Sequence, residues 1–220
     1  MEPRVDAPSL RDQVYDILKN MIILREIPPG EKIPEEDLCR RLGVSRTPLR
    51  ETICRLENEG IVKVIPRRGA FVVEQSKQTI REILEIREAL EGLVARLATQ
   101  NMDAQTAERI MKSLAKAERI SASDPQLAKY TRADIEFHDL MLAASGSQML
   151  HHMMQMVNAH LQLIRLRTVV LPGRARKTVV EHFEIMEAVN RGDPDQAEER
   201  MRRHIRSVRQ VALENIDAMV

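Results

Sequence analysis

The sequence predicts a mainly α-helical protein in two parts, an N-terminal winged helix-turn-helix followed by an all-α bundle. Three observations carry this. Aromatic residues make up 2% of the chain and Trp is absent, so Leu, Ile, Val, Ala and Met must fill the core, which favours helices. One pair of short β-rich segments, 61–65 and 70–73, flanks the turn Pro66-Arg67-Arg68-Gly69. Beyond a polar stretch at 75–79, every segment carries helical spacing between breakers. A hydrophobic fraction of 43% in 220 residues suffices for packed cores in one or two domains.

Residues 1–8, charged and without a period, read as a disordered arm. A first helix is predicted over 9–25, with Leu10, Val14, Ile17, Leu18, Met21 and Ile22 as its apolar stripe. Pro28-Pro29-Gly30 stops it, and Ile33 resumes burial. PEEDLCRRLG is a short second helix. Pro34 stands at its start, acids fill its first turn, and Arg40 and Arg41 its last, the order that suits the helix dipole. Gly43 can end it in a left-handed cap.

The stretch 42–62 organises this half. Ser45 can cap a third helix with its hydroxyl, Pro48 falls in the first turn, and Leu49, Ile53 and Leu56 form an apolar face. Arg46, Thr47 and Arg50 lie on the adjoining flank near the N-terminal end, where a major-groove reader places its base contacts. Arg suits that task because its fork bonds guanine O6 and N7, and also phosphate. An ordinary amphipathic surface helix would show the same cap and stripe. The surroundings favour DNA: Arg40, Arg41, Arg46, Arg50, Arg55, Lys63, Arg67 and Arg68 are opposed only by Glu51, Glu57 and Glu59. The 61–73 hairpin is the wing, its basic tip placed to reach a neighbouring groove or the backbone.

The second part, bounded at 75–79, is predicted to hold six helices, at about 77–99, 103–121, 125–145, 147–169, 174–191 and 194–217. Asp134 and His138 are spaced i, i+4 and share a face. His182 recurs with Ile185, Met186 and Val189, and His204 with Ala197, Met201, Val208 and Val211. Three helices thus each point a metal-competent side chain inward. By spacing alone the four fit either a divalent-metal centre or hydrogen-bonded core side chains. Arg87 lies among Ile83, Ile86, Leu90 and Val94, where the residues themselves fit a salt bridge to Glu88, Glu91 or another acid. Arg165 and Arg167 read first as a solvated stripe, with one of them a weaker candidate to face a cavity, and His151, His152 and His160 as surface or rim residues.

PGEKIPEEDL, LGVSRTPLRETICRLENEGIV and PRRGAFV closely resemble the N-terminal domain of GntR-family bacterial transcription regulators across 9–74. The resemblance implies that Arg46, Thr47, Arg50, Arg68 and the turn at Gly69 contact operator DNA, with Ser45 and Arg41 on the backbone. Some relatives carry Arg where this chain has Glu36, so the resemblance does not extend to a phosphate contact from that position. IREALEGLVARLA, DIEFHDLMLAASG and EHFEIMEAVNRGDPDQAEERMRRHI resemble the effector domain of the FadR-like branch, called FCD, over 78–217. Six helices are similar to its VanR-type subdivision. The resemblance implies a metal held by Asp134, His138, His182 and His204: a divalent transition metal, zinc first, with nickel, manganese or iron as alternatives. It also implies that Arg87 faces the pocket and holds a carboxylate. The acyl-CoA-binding member that names the branch lacks this ligand set, which disfavours an acyl-CoA effector.

The formal net charge of +1 gives no global attraction to DNA, so any such surface is a local patch. Cys39 and Cys54 form no CxxC pair and read as reduced, packed residues. There is no apolar N-terminal leader and no run of about 18 apolar residues, so a cytoplasmic protein away from membranes is expected. The reading is a non-enzymatic, homodimeric regulator, a repressor, that binds double-stranded operator DNA and answers to a small organic acid. Its rivals are a regulator for which the metal is the signal, a helical metal-dependent hydrolase, which would need a positioned base, and a helical interaction protein.

Overall fold

The computed structural model describes residues 9–119, 127–169, 171 and 173–215. The expected arm at 1–8 and the breaker at 123–125 lie outside the described residues. The chain divides into two compact units after Ser76.

The first unit holds α1 (Leu10–Ile23), α2 (Glu35–Leu42), α3 (Arg46–Asn58), β1 (Val62–Ile65) and β2 (Gly69–Val72). Ser9 caps α1 by accepting from the Asp12 amide at 3.2 Å. Val14, Tyr15, Leu18, Met21 and Ile22 are buried, whereas Leu10 and Ile17, expected in the same stripe, are exposed. The buried arc is rotated toward Tyr15, leaving those two at its far edge. Gly43 ends α2 at φ 64, the left-handed conformation that a residue without Cβ takes at least cost. Ser45 stands at the N-cap position of α3 but its hydroxyl makes no capping bond, contrary to expectation. Leu49, Thr52, Ile53 and Leu56 hold α3 in the core. Its far end is clasped to α1: Tyr15 Oη donates to Glu59 at 2.7 Å, and the Arg55 guanidinium stacks 3.6 Å from the Tyr15 ring.

β1 and β2 pair antiparallel, Val62 opposite Val72 and Ile65 opposite Gly69. A third extended segment, read from sequence only as a turn, joins the other edge of β2. Gly30 N–H donates to Val72 O at 3.0 Å, Val72 N–H to Glu31 O at 2.9 Å, and Ile33 N–H to Ala70 O at 2.8 Å. Such a short pairing is made by backbone groups, so side-chain period does not announce it.

The second unit holds α4 (Lys77–Asn101), α5 (Ala104–Glu118), α6 (Leu127–Ala144), α7 (Gln148–Val169), α8 (Arg174–Asn190) and α9 (Pro194–Glu214). Asp103 and Asp193 cap α5 and α9, accepting from Thr106 and Gln196 amides at 2.7 and 3.0 Å. α4 and α9 lie closely together. Gly92 permits this, since a Cβ there would sit 2.8 Å from Arg202 Nε. Val94, Ala98, Leu114, Phe137, Met141, Ile185, Met201 and Ile205 form the main core. Ile86, expected beside Arg87 on the apolar side, is 52% exposed. Among the described residues, no helix is long and apolar enough to cross a membrane.

Candidate functional site

Two constellations stand out, one in each unit. In the second, α6 carries Asp134 and His138 one turn apart, α8 carries His182 and α9 carries His204. One ligand atom from each lies within 4.8 Å of all the others. His182 Nε2 is 3.3 Å from His204 Nε2 and 3.8 Å from Asp134 Oδ1, and His138 Nε2 is 3.7 Å from that same oxygen. Ligands on a tetrahedral zinc, with bonds of about 2.0–2.1 Å, stand roughly 3.4 Å apart. Three of the pairs, at 3.3 to 3.8 Å, stand close to that spacing.

The outer nitrogens of two imidazoles face carboxylates. Glu91 of α4 lies against His138 Nδ1, and Glu181 Oε2 is 2.7 Å from His204 Nδ1. A carboxylate at Nδ1 holds the proton there and turns the Nε2 lone pair inward, as ligating histidines require. The Phe137 ring stacks on His182, centroids 3.9 Å apart, and fixes its plane. All three histidines are at least 95% buried. Burial and neighbouring cations push His182 well below the usual imidazole range and lower His204 as well, leaving both neutral and free to ligate.

The carboxylates respond in the opposite sense. Burial alone would raise Glu181, but the contacts with His204 and Arg174 outweigh it and bring its pKa to about 2. Burial likewise works against Glu91, whose neighbours Arg87 and His138 lower it strongly. Asp134 is lowered too, His138 and Arg165 overcoming its burial. Both glutamates are engaged in positioning imidazoles, so neither serves as the base a hydrolase would need.

Three arginines surround the cluster. Arg87, 2% exposed, donates from Nε to Glu91 at 2.5 Å and from Nη2 to His138 Nε2 at 2.9 Å. It both makes an acid pair on its own helix and lines the cavity beside the cluster. Arg165, expected on a solvated stripe, is instead 8% exposed and lines that cavity, its Nε 3.3 Å from Asp134 Oδ2. Burial and the nearby Arg87 disfavour its charge. The side chain of Arg167 lies outside the described residues. Arg174 lines the cavity as well, bonded to Glu181 at 2.9 Å and to Ser207 Oγ at 2.9 Å. Sequence reasoning missed Glu181 and Arg174 as site residues, named Glu91 only as a partner for Arg87, and held Arg165 only as a weaker cavity candidate. The one available signal was Glu181, directly before His182. His151, His152 and His160 are exposed, as expected.

In the first unit, Arg46, Arg50, Arg68 and Gly69 line one open groove between α3 and the hairpin tip. Lys32, Arg40 and Arg67 join them, Lys32 brought in by the third extended segment. Six cations thus face three acids, Glu35, Glu36 and Asp37. Arg46 bonds Glu36 at 2.8 Å. Arg41, Ser45 and Thr47 are exposed but lie outside the lining of this groove. Arg67 takes φ 63 at the tip of the turn, a conformation uncommon for a side-chain-bearing residue.

Residues 10–72 match the family described as bacterial regulatory proteins, gntR family, and residues 82–207 match the FCD domain. The chain is 28% identical over 212 residues to the HTH-type transcriptional repressor RspR of Escherichia coli, covering 94% of this chain and 92% of that one. It is 30% identical over 212 residues to the HTH-type transcriptional regulator LutR of Bacillus subtilis, covering 87% and 95%. The solved structure of E. coli McbR/YncC shares the fold, with a TM-score of 0.63 at 21% identity over 97% of this chain and 98% of that one. The chain belongs to the gntR family of bacterial transcription regulators, in the branch that carries an FCD domain.

Proposed function

We propose that the protein is a repressor whose operator affinity is set by a small carboxylate bound beside a metal in the second unit. Asp134, His138, His182 and His204 would hold the cation, zinc first among divalent transition metals, with nickel, manganese or iron as alternatives. The observation that carries this is the meeting of three Nε2 atoms and one carboxylate oxygen within 4.8 Å, each a donor such a cation accepts. When bound, the metal supplies an open coordination position for a carboxylate oxygen. Arg87, at the wall of the same cavity, presents its guanidinium to that acid.

The first unit would read DNA through Arg46, Thr47 and Arg50 at the start of α3, with Arg68 and Gly69 at the hairpin tip and Arg41 and Ser45 on the backbone. The cation excess of the groove supports this, since phosphate neutralisation requires it. Two such heads in a homodimer would engage two half-sites. An effector changes operator affinity only through different affinities for the DNA-competent arrangement and the other one. RspR, to which the chain is similar, is a repressor, and the cytoplasm is where operator DNA lies.

The test is metal analysis of the purified, dialysed protein beside the His182→Ala/His204→Ala variant. About one metal per chain, lost in the variant, is expected; equal metal in both would refute the ligand assignment. A second reading takes the metal itself as the signal. Arg87 favours it: its Nη2 sits at the His138 lone pair, so an entering cation must displace a guanidinium, and binding is weakened into a reversible range. Operator release by metal alone, without any acid, would select that reading.

A further inference from the structure

The charges buried around the cavity balance one for one. Arg87 faces Glu91, Arg165 faces Asp134, and Arg174 faces Glu181. Imidazoles that lend Nε2 to a cation are neutral. Entry of a divalent metal therefore leaves two positive charges uncompensated in a site shielded from water, a costly condition unless a counter-charge follows. A monocarboxylate cancels one of them.

The second has a visible locus. Arg174 is engaged by Glu181 and Ser207, and Arg87 by Glu91 and His138. Arg165 is different. Among the described residues its buried Nε has no hydrogen-bond partner, and the acid it pairs with, Asp134, is the carboxylate that the metal would claim. Arg165 also lines the cavity. A guanidinium in this position can take a second carboxylate in a two-pronged contact.

We propose that the effector is a small dianion, one carboxylate completing the metal's shell beside Arg87 and the other held by Arg165. This rests on the reading of the second unit as a metal-assisted acid sensor, and it names the class of acid that sensor takes. Metal and dianion stabilise each other's binding by equal factors.

The experiment uses the full chain loaded with zinc, with metal content measured before and after each titration, because dicarboxylates can strip a loosely held cation. Calorimetry compares acetate and propionate with malonate, succinate, glutarate and malate. At least one dianion should bind roughly 10- to 100-fold more tightly than the monocarboxylates, the range of one charge-assisted contact. Compared at equal measured zinc content, Arg165→Gln should shrink that gap to about threefold or less, and Arg165→Lys should restore part of it.

Equal binding of mono- and dicarboxylates by the unaltered chain would overturn the proposal, and so would a preference that survives Arg165→Gln. Failure of every dianion to bind a chain that holds zinc would do the same. The unaltered comparison needs no variant, so a misfolded Arg165→Gln protein cannot shield the idea. A chain that takes up no zinc sinks the underlying metal reading, and with it the charge excess.

Discussion

The two units handle charge in opposite ways. The groove of the first holds its arginines at the surface, Arg46 with 67% of its side chain exposed and paired with a still more exposed Glu36. The second buries Arg87, Arg165 and Arg174 among carboxylates and imidazoles. Exposed cations are screened by water and salt, contribute little to stability, and remain available to an incoming polyanion. Buried charges must be paired within the fold, so each belongs at once to the site and to its stability. A regulator gains from this split. DNA contact residues can change without unfolding the protein, whereas ligand contacts are wired into the packing that would carry the signal.

The sharpest break in that contrast comes from deleting one buried partner. Glu181→Ala leaves Arg174 unpaired and His204 without its Nδ1 acceptor. It should cost about 3–5 kcal/mol of stability, read as a lowered denaturant midpoint. A cost below about 1 kcal/mol would mean that this pair behaves like a surface one.

Acid should separate the units next. All six histidines lie in the second unit. His182 and His204 fall below the usual 6.5 in the folded state, so the unfolded chain takes up protons first, and stability is lost as pH drops below about 6.5. Glu181, lowered from 4.5 to about 2, adds a further loss as pH falls from about 4.5 toward 2. Hydrogen exchange on the metal-free protein should show α6, α8 and α9 loosening between pH 7 and 5 while α1 and α3 stay protected. Loosening of both units together would contradict the comparison.

Arg50→Ala tests the other side. Operator affinity should fall about tenfold or more, with an unchanged melting curve; unchanged binding in a fluorescence-anisotropy titration would remove Arg50 from the interface. The smallest expected effect concerns two caps. Asp193→Ala should cost about 1 kcal/mol because its carboxylate accepts the Gln196 amide. Ser45→Ala should stay within about 0.5 kcal/mol because its hydroxyl caps nothing. Equal costs at the two positions would show that Ser45 does cap in solution.

By itself the sequence determined the order and kind of the elements. The breakers Asn101-Met102-Asp103, Ser145-Gly146-Ser147 and Gly192-Asp193-Pro194 mark helix ends to within a few residues, because caps and turns are local chemistry. It also determined which faces turn inward, placing Asp134, His138, His182 and His204 on apolar sides through the 3.6-residue period. Only the tertiary structure decided what those faces meet. Glu91 and Glu181 behind the imidazoles, Arg165 turned into the cavity, and the backbone pairing of residues 30–33 with β2 all depend on partners distant in the chain. Periodicity reports the direction of a side chain from its own axis; whether a carboxylate, a guanidinium or a backbone edge waits there is set by how the helices and strands pack.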